Sequence, residues 1–332
     1  MPVTMRDVAQ KAHVSIKTVS RVVNNQGEIS EETRQRVLAA IEEFGYRPSK
    51  VARALVTQRT DTVGLILSDI ANPFFSEVAR GVLDTAQAKG YDVFLCNSSG
   101  NPQQELRLLQ SLADHTVDGI IIYPSYDAKD NLAAFAEHYQ PLVVINHFVE
   151  HPGINLVMLE TYQGAKLAVD YLIGKGHTAI GMLTGVSDPH SDTVQRVRGF
   201  RDALAAQGLP ANGEWIMPCS APTYECGYQA AQQLLTQHPR LTAIFAYNDL
   251  LALGAIQACN DLGCRIPTDC AIVGFDDIQW AAMSTPPLTS VRVDKENLGR
   301  QAISRLLAVL ENPDTAFPPI YVGVELVIRE SA

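Results

Sequence analysis

Much of what catalysis needs is missing from this chain of 332 residues. No G-x-G-x-x-G follows a strand-like run, and no G-x-x-x-x-G-K-[ST], H-E-x-x-H or G-x-S-x-G occurs anywhere. The phosphate cradles of nucleotide enzymes, the zincin helix and the nucleophile elbow are therefore excluded. No two of the six cysteines (96, 219, 226, 259, 264, 270) form a C-x-x-C pair. Those cysteines sit among apolar neighbours, as buried thiols of a reducing cytoplasm do. Asp276 and Asp277 are adjacent, and adjacent side chains at a strand end point apart, so they make a poor acid–base pair. An enzyme is not expected, and no metal or other cofactor is. No run of about 18 apolar residues is present to span a bilayer. The opening MPVTMRDVAQKA lacks the apolar stretch of a secretion signal, so the expected location is the cytoplasm, with no membrane partner.

What is present is an ordinary globular composition, 46% hydrophobic and 19% charged, over a length sufficient for two or three domains. The charge is unevenly placed. Residues 1–60 hold ten Lys/Arg against six Asp/Glu, a net of +4, and the rest of the chain holds 16 against 30, a net of −14. A small module for a polyanion attached to a body that repels polyanions fits this contrast.

Three short helices are legible in the basic segment. The first runs from about Met5 to Ala12 behind a Thr4 cap, with Val8, Ala9 and Ala12 facing inward. Ser15 caps the second, which runs to about Asn24. Ser30 caps the third, where Glu31 and Glu32 suit the positive end of the helix dipole, Val37, Leu38, Ile41 and Phe44 form the apolar side, and Gly45 ends it. Two short helices joined by a tight turn and braced by a third make a helix-turn-helix. In HVSIKTVSRVVNNQ (13–26), docking by Val19, Val22 and Val23 leaves Lys17, Ser20, Arg21 and Asn24 outward. That stripe is a solvated face on the plain reading. On the sharper one it is a recognition face, with Arg21 suited to a guanine edge and Lys17 to a base or phosphate. Ile16 fits either the core or a thymine methyl.

The stretch TMRDVAQKAHVSIKTVSRVVNNQGEISEETRQRVLAAIEEFGYRPSKVARAL resembles the DNA-binding headpiece and hinge of the LacI/GalR family of bacterial transcriptional regulators. DVA, VSxxTVSRVVN, GYRP and ARAL fall in order along it. The resemblance implies a homodimer on double-stranded operator DNA, with Ile16, Lys17 and Arg21 reading bases and Leu55 levering a minor-groove step. It extends the expected DNA contacts to Thr4, Ser15, Thr18, Ser20 and Asn24, and to Ser49, Ala52 and Arg53 in the hinge. His13 stands where the family usually has glycine in the turn, and histidine is among the less costly substitutes in a left-handed conformation. The hinge (48–59) carries a run, KVARALV, too short to be a stable helix alone, so it is expected to order only against a second copy and DNA. A plain linker is the alternative.

After residue 60 the pattern becomes apolar runs alternating with helical periods. TVGLIL, VFLC, GIII, LVVIN, LVML, AIGML, AIFAY, AIVGF and TSVRV read as strands, and PFFSEVARGVLDTAQAKG and QRVRGFRDALAAQG as helices. Continuous apolar strands between helices mean parallel sheets covered on both faces. The βα rhythm repeats in two halves, so two Rossmann-like lobes are expected. The family's core, similar to periplasmic binding proteins, has this architecture. On that basis the boundaries are a headpiece over 1–47, a hinge over 48–59 and a core over 60–332. The N-lobe takes about 60–160 plus 291–321, and the C-lobe about 161–290 plus 322–332.

Ligands of such sheets bind outside the carboxyl ends of the strands. Asp69, Asn72, Phe74, Asn146, His147, Arg196, Asn248, Asp249, Asp276 and Asp277 fall there, although Asn72, Asp249 and Asp277 also sit where helix caps belong, the better reading for Asp249 and Asp277. The resemblance makes Arg196 and Asp276 the most regular effector contacts. It adds Phe74, Asn146, His147, Glu160 and Asn248 at pocket positions, and His190 and Asp192 where specificity is set. The family often stacks a ring on its ligand near TYECGY, and the nearest aromatic here is Tyr224, with Pro222 beside it. An acidic Asp192 favours a neutral polyol, a mono- or disaccharide, over a purine or a phosphorylated ligand. A repressor controlled by such an effector is the expected function. An activator, or a corepressor-dependent repressor answering a nucleoside or other metabolite, is the alternative. The last residues carry no leucine heptad, which favours a dimer over a tetramer.

Overall fold

Buried valines fix the N-terminal unit. In the computed structural model, residues 3–23, 27–46, 59–115, 117–125, 128–186 and 191–332 are described. The expected contacts at Asn24, Ser49, Ala52, Arg53, Leu55 and His190 lie outside these residues, as does the hinge run KVARALV. The chain divides into two units, Met1–Thr60 and Asp61–Ala332.

In the first unit, α1 (Met5–Lys11), α2 (Ile16–Val23) and α3 (Glu31–Phe44) close on Val8, Ala9, Ala12, Val19, Val22, Val37 and Ala40. Thr4 and Asp7 form a reciprocal capping box at the start of α1: the Asp7 N–H donates to Thr4 Oγ1 and the Thr4 N–H to Asp7 Oδ2 (2.8 Å). Those bonds, side chain first, hold the Asp7 carboxyl below its ordinary range. Ser15 caps α2 by accepting from the Thr18 N–H at 3.1 Å. His13 has φ +54°, and the Val14 N–H reaches the Ala9 carbonyl (3.0 Å) while the His13 N–H reaches Gln10 (3.3 Å). That is the left-handed helix stop usually made with glycine, and Gly45 (φ +58°) makes the same stop after α3. Leu38, expected in the core, is 43% exposed. The buried stripe of α3 runs through Val37, Ala40, Ile41 and Phe44, which are spaced by three and four residues, and Leu38 falls off that stripe.

The second unit is built from two six-stranded sheets of the same order. The first is β11-β5-β4-β3-β1-β2 and the second β12-β10-β9-β8-β6-β7. In chain order the elements are β1 (Thr62–Leu67), α4 (Pro73–Ala88), β2 (Asp92–Asn97), α5 (Pro102–Asp114), β3 (Gly119–Ile122), α6 (Lys129–Ala136), β4 (Leu142–Ile145) and β5 (Ile154–Leu159). The second lobe continues with α7 (Thr161–Gly174), β6 (Ile180–Thr184), α8 (Asp192–Ala206), β7 (Ile216–Pro218), α9 (Tyr224–Gln237), β8 (Ala243–Ala246) and α10 (Asp249–Asp261). The chain then forms β9 (Ala271–Asp276), α11 (Gln279–Met283), β10 (Thr289–Val293), α12 (Lys295–Glu311), β11 (Ile320–Val322) and β12 (Val324–Val327). Every pairing is parallel except β10 with β12.

The inner strands are wholly buried, which is why their sequences read as unbroken apolar runs. The strands β7, β11 and β12 are short, partly exposed edges and carry no such run. The return to the first lobe begins at Lys295: Val291 and Val293 remain buried in the second sheet, between β9 and β12, while α12 packs on α4 and β11 joins β5. Only Gly323 then separates β11 from β12 in the other sheet. The helices meet through glycine. A Cβ at Gly299 of α12 would lie 2.1 Å from the Val78 carbonyl oxygen of α4, and one at Gly254 of α10 would lie 2.2 Å from the Tyr224 oxygen of α9.

Candidate functional site

Two features of the described residues carry chemistry. On the first unit, Val19 and Val22 hold α2 down, and Ile16 (43% exposed), Lys17 and Arg21 face solvent. The exposure of Ile16 settles its place away from the core. Thr18 and Ser20 are half-buried at the edge of the same face. Thr4 and Ser15 are exposed, and their hydroxyls are engaged in the caps of α1 and α2. An α-helix offering two cations and an apolar side chain, in a unit of net +4, suits the major groove of a duplex.

On the second unit, both sheets aim their carboxyl ends at one cleft of about 490 Å³. In each sheet the strand order reverses there, between β1 and β3 and between β6 and β8. The first lobe supplies Ser68 and Asp69, an aromatic group of Phe74, Phe75 and Tyr123, Ser125, and then Asn146 and His147 after β4. The second lobe supplies Asp192, Arg196, Tyr247, Asn248 and Asp276. The three rings meet edge to face, with centroids 5.0 to 5.8 Å apart.

Arg196 is the hub. It is 2% exposed, with its guanidinium carbon 3.8 Å from the Phe275 ring centroid and 4.2 Å from that of Tyr247. Its Nη1 donates to the Tyr247 carbonyl, its Nη2 donates to Asp192 Oδ2 at 2.8 Å, and Asp276 Oδ1 lies 3.9 Å away. Burial works against its charge, yet Asp192, Tyr247 and Asp276 more than offset this and keep it firmly protonated. Burial likewise pushes the Asp276 carboxyl up to about 7 against the pull of Arg196 and Lys295. Arg196 Nε and Asp276 Oδ1 have no hydrogen-bond partner among the described residues. Asn146, held at φ +54°, links the lobes: its Nδ2 donates to the Tyr123 hydroxyl (2.9 Å) and to Asp192 Oδ2 (3.0 Å). His147 and Ser191 form an isolated antiparallel bridge beside it.

The structure thus brings Phe74, Asn146, His147, Asp192, Arg196, Asn248 and Asp276 together. Glu160 is not among the lining residues. It is exposed just before α7, where its N–H bonds to Val322 at the crossing between lobes. Tyr224 also stands outside the cleft, while Pro222 lines it. The expected caps change places. Asn248 caps α10, accepting from the Leu251 N–H at 2.9 Å, whereas Asp249 accepts from the Ile278 N–H (2.8 Å) and Ser290 Oγ (2.5 Å). Asp277 caps nothing; it is paired to Arg292 (2.7 Å) and Arg329 (2.6 Å). Tyr123, Ser125 and Tyr247 were not singled out, although the carboxyl-end rule that found Asn146 applies to them equally. Ser125 is fixed from behind by Glu105, which is buried on α5 and accepts from the Ser125 N–H (2.7 Å) and Oγ (2.8 Å).

No helix among the described residues is long and apolar enough to cross a membrane. Residues 4–49 match the profile of bacterial regulatory proteins of the lacI family, and residues 60–320 that of periplasmic binding proteins and sugar binding domain of LacI family. The HTH-type transcriptional repressor PurR of Photobacterium profundum is 35% identical over 331 residues, 99% of this chain and 98% of that protein. Catabolite control protein A of Priestia megaterium is 37% identical over 315 residues, 95% and 94% of the two chains. Among solved structures, the Lac repressor dimer bound to operator and the anti-inducer ONPF superposes with a TM-score of 0.89 at 28% identity, covering 100% of this chain and 99% of that one. The transcriptional regulator CelR in complex with cellobiose superposes with a TM-score of 0.76 at 30% identity, covering 99% and 100%. With a helix-turn-helix ahead of a two-lobed α/β core, and with repressors rather than enzymes as its relatives, this chain belongs to the LacI family of bacterial transcriptional regulators.

Proposed function

We propose that the chain is a cytoplasmic, sequence-specific repressor. It binds a near-palindromic operator as a homodimer and is controlled by a neutral mono- or disaccharide held between the core lobes. The observation that carries the ligand class is the Arg196–Asp276 pair in the cleft lining, whose Nε and Oδ1 have no hydrogen-bond partner among the described residues. A guanidinium donor and a carboxyl oxygen 3.9 Å apart match vicinal hydroxyls, which donate and accept at once. The aromatic group of Phe74, Phe75 and Tyr123 offers an apolar surface to the C–H face of a sugar ring. Asp69 and Asp192 outnumber Arg196 in the lining, which disfavours phosphorylated ligands. The likeness to a regulator solved with cellobiose agrees with this reading.

On the DNA side, Arg21 pairs with a guanine edge, Lys17 with a base or phosphate, and Ile16 touches a thymine methyl. Ser20, Thr18, Thr4, Ser15 and Asn24 position the helix. Ser49, Ala52, Arg53 and Leu55 act from the hinge, where Leu55 wedges a central step. The effector binds the two lobe arrangements unequally, through the Asn146–Asp192 link and its neighbours, and so shifts the balance between DNA-competent and incompetent dimers. The test is a ligand panel: sugars, nucleosides and purine bases titrated against the protein on its selected duplex. A mono- or disaccharide is expected to change DNA affinity about tenfold or more, a coupling of about 1.4 kcal/mol. A response to a nucleoside or base, with every sugar silent, overturns the ligand class.

A further inference from the structure

Two thiols sit at the ends of a stretch of cleft wall. Cys219 follows β7 and is 2% exposed, and Cys226 is the third residue of α9 and half-buried. The residues between them that line the cleft are Ser220, Ala221, Pro222 and Thr223, and the Pro222 carbonyl accepts from Asn248 Nδ2 at 3.3 Å. Cys219 Sγ lies 3.9 Å from the Cys226 carbonyl oxygen and Cys226 Sγ lies 3.9 Å from Ser220 Oγ, so the two side chains stand beside each other and their thiols interact. Cys226 therefore has a second cysteine beside it and stands in the first turn of a helix, where partial positive charge favours a thiolate. Burial opposes its ionisation, but hydrogen bonds from the Ala221 backbone, Cys219 and Ser220 more than offset this and hold its thiol below the ordinary value. Burial first, and then the hydrogen bond and charge of Cys226, push Cys219 up to about 12. The pair is thus divided into a nucleophile and a reserve thiol. Cys259 and Cys270 also interact, but at 0% and 1% exposure they are closed to reagents.

We propose that Cys226 and Cys219 form an oxidant-responsive pair, converted by a hydroperoxide into a disulfide that redraws the Ser220–Thr223 wall of the cleft. This gives the regulator a redox input separate from its effector. The Cys226 thiolate attacks one peroxide oxygen, the O–O bond breaks, and the departing hydroxide takes up a proton to leave as water, with a sulfenic acid on Cys226. Cys219 then gives up its proton and attacks the Cys226 sulfur, and the S–O bond breaks as a second water departs. Two thiols are oxidised by two electrons and one hydroperoxide is reduced. Conversion of Cys226 to the neutral sulfenic acid removes the charge that adds to burial in keeping Cys219 protonated, which favours the second step.

The test uses the full chain and hydrogen peroxide, read by peptide mass. Both cysteines lie between Arg201 and Arg240 with no other Lys or Arg between those two, so one tryptic peptide carries both. The expected result is loss of two hydrogens from that peptide, restored by a dithiol reductant. Cys226→Ser abolishes the loss, and Cys219→Ser leaves a sulfenic acid on Cys226 that dimedone traps. Before oxidation, iodoacetamide at pH 7.5 modifies Cys226 about tenfold faster than Cys96 or Cys264. Amide exchange over residues 219–226 changes on oxidation of the wild type and stays constant in Cys219→Ser. Alkylation of Cys226 no faster than Cys96, a disulfide between Cys259 and Cys270 instead, or unchanged exchange over 219–226 overturns the proposal.

Discussion

Arg196 carries more of the cleft's electrostatics than any other side chain, because it is the cation that Asp192 and Asp276 both face. Replacing it with alanine leaves the buried Asp192 carboxylate without its cation and Asp276 with the pull of Lys295 alone. Arg196→Ala is expected to lower stability by about 3–5 kcal/mol and to weaken effector binding on the order of a hundredfold. DNA affinity, measured well below the unfolding temperature, stays nearly unchanged. Calorimetric titration with the effector checks this, and a retained effector response removes Arg196 from the pocket. Asp276 predicts a pH effect of definite sign. Its carboxyl holds a proton up to about pH 7 in the folded chain, whereas an unfolded aspartate releases one near about 4. Between those values the folded state binds more protons, so stability falls as pH rises from about 4 to about 7. Burial raises Asp249 and Glu105 in the same direction. Asp276→Asn should therefore reduce, without abolishing, the decline in denaturation midpoint between pH 5 and pH 7.5, and an unchanged slope refutes the assignment.

At the scale of elements, packing depends on helices that approach closely enough to exclude a methyl group. Gly299→Ala drives a Cβ to 2.1 Å from the Val78 carbonyl oxygen, so α4 and α12 must separate. A loss of about 1–3 kcal/mol is expected in chemical denaturation, and no loss at all contradicts the close packing described. The elements differ in how plainly the sequence announced them. Inner strands such as Leu142–Ile145 and Ala243–Ala246 are buried on both faces and read as continuous apolar runs. The edges β7, β11 and β12 have one face and one side in water, so burial imposed no run on them. The left-handed stop at His13 was legible because a turn there needs positive φ whatever residue fills it. The roles of Asn248 and Asp249 were not, since either can cap α10 and only the tertiary partners Ile278 and Ser290 claim Asp249. Arg196 and Asp276 were identifiable as side chains without a local structural task. Tyr123 and Ser125 meet them only through folding.

For the whole molecule, charge division matches architecture: a unit of net +4 offers Lys17 and Arg21 on α2, and a remainder of net −14 encloses a cleft. The affinity of the first unit for DNA should fall steeply with salt, while the ligand response of the second should not. The central claim is that these two units make one regulated, sequence-specific DNA-binding protein. It is tested most directly by selecting duplexes from a random DNA pool with the purified full chain at moderate salt, in the absence and presence of a sugar panel. The account predicts enrichment of a near-palindrome with a flexible pyrimidine–purine step at its centre, and a change in its recovery with at least one sugar. Recovery of no sequence above the nonspecific background, with or without sugars, would contradict it.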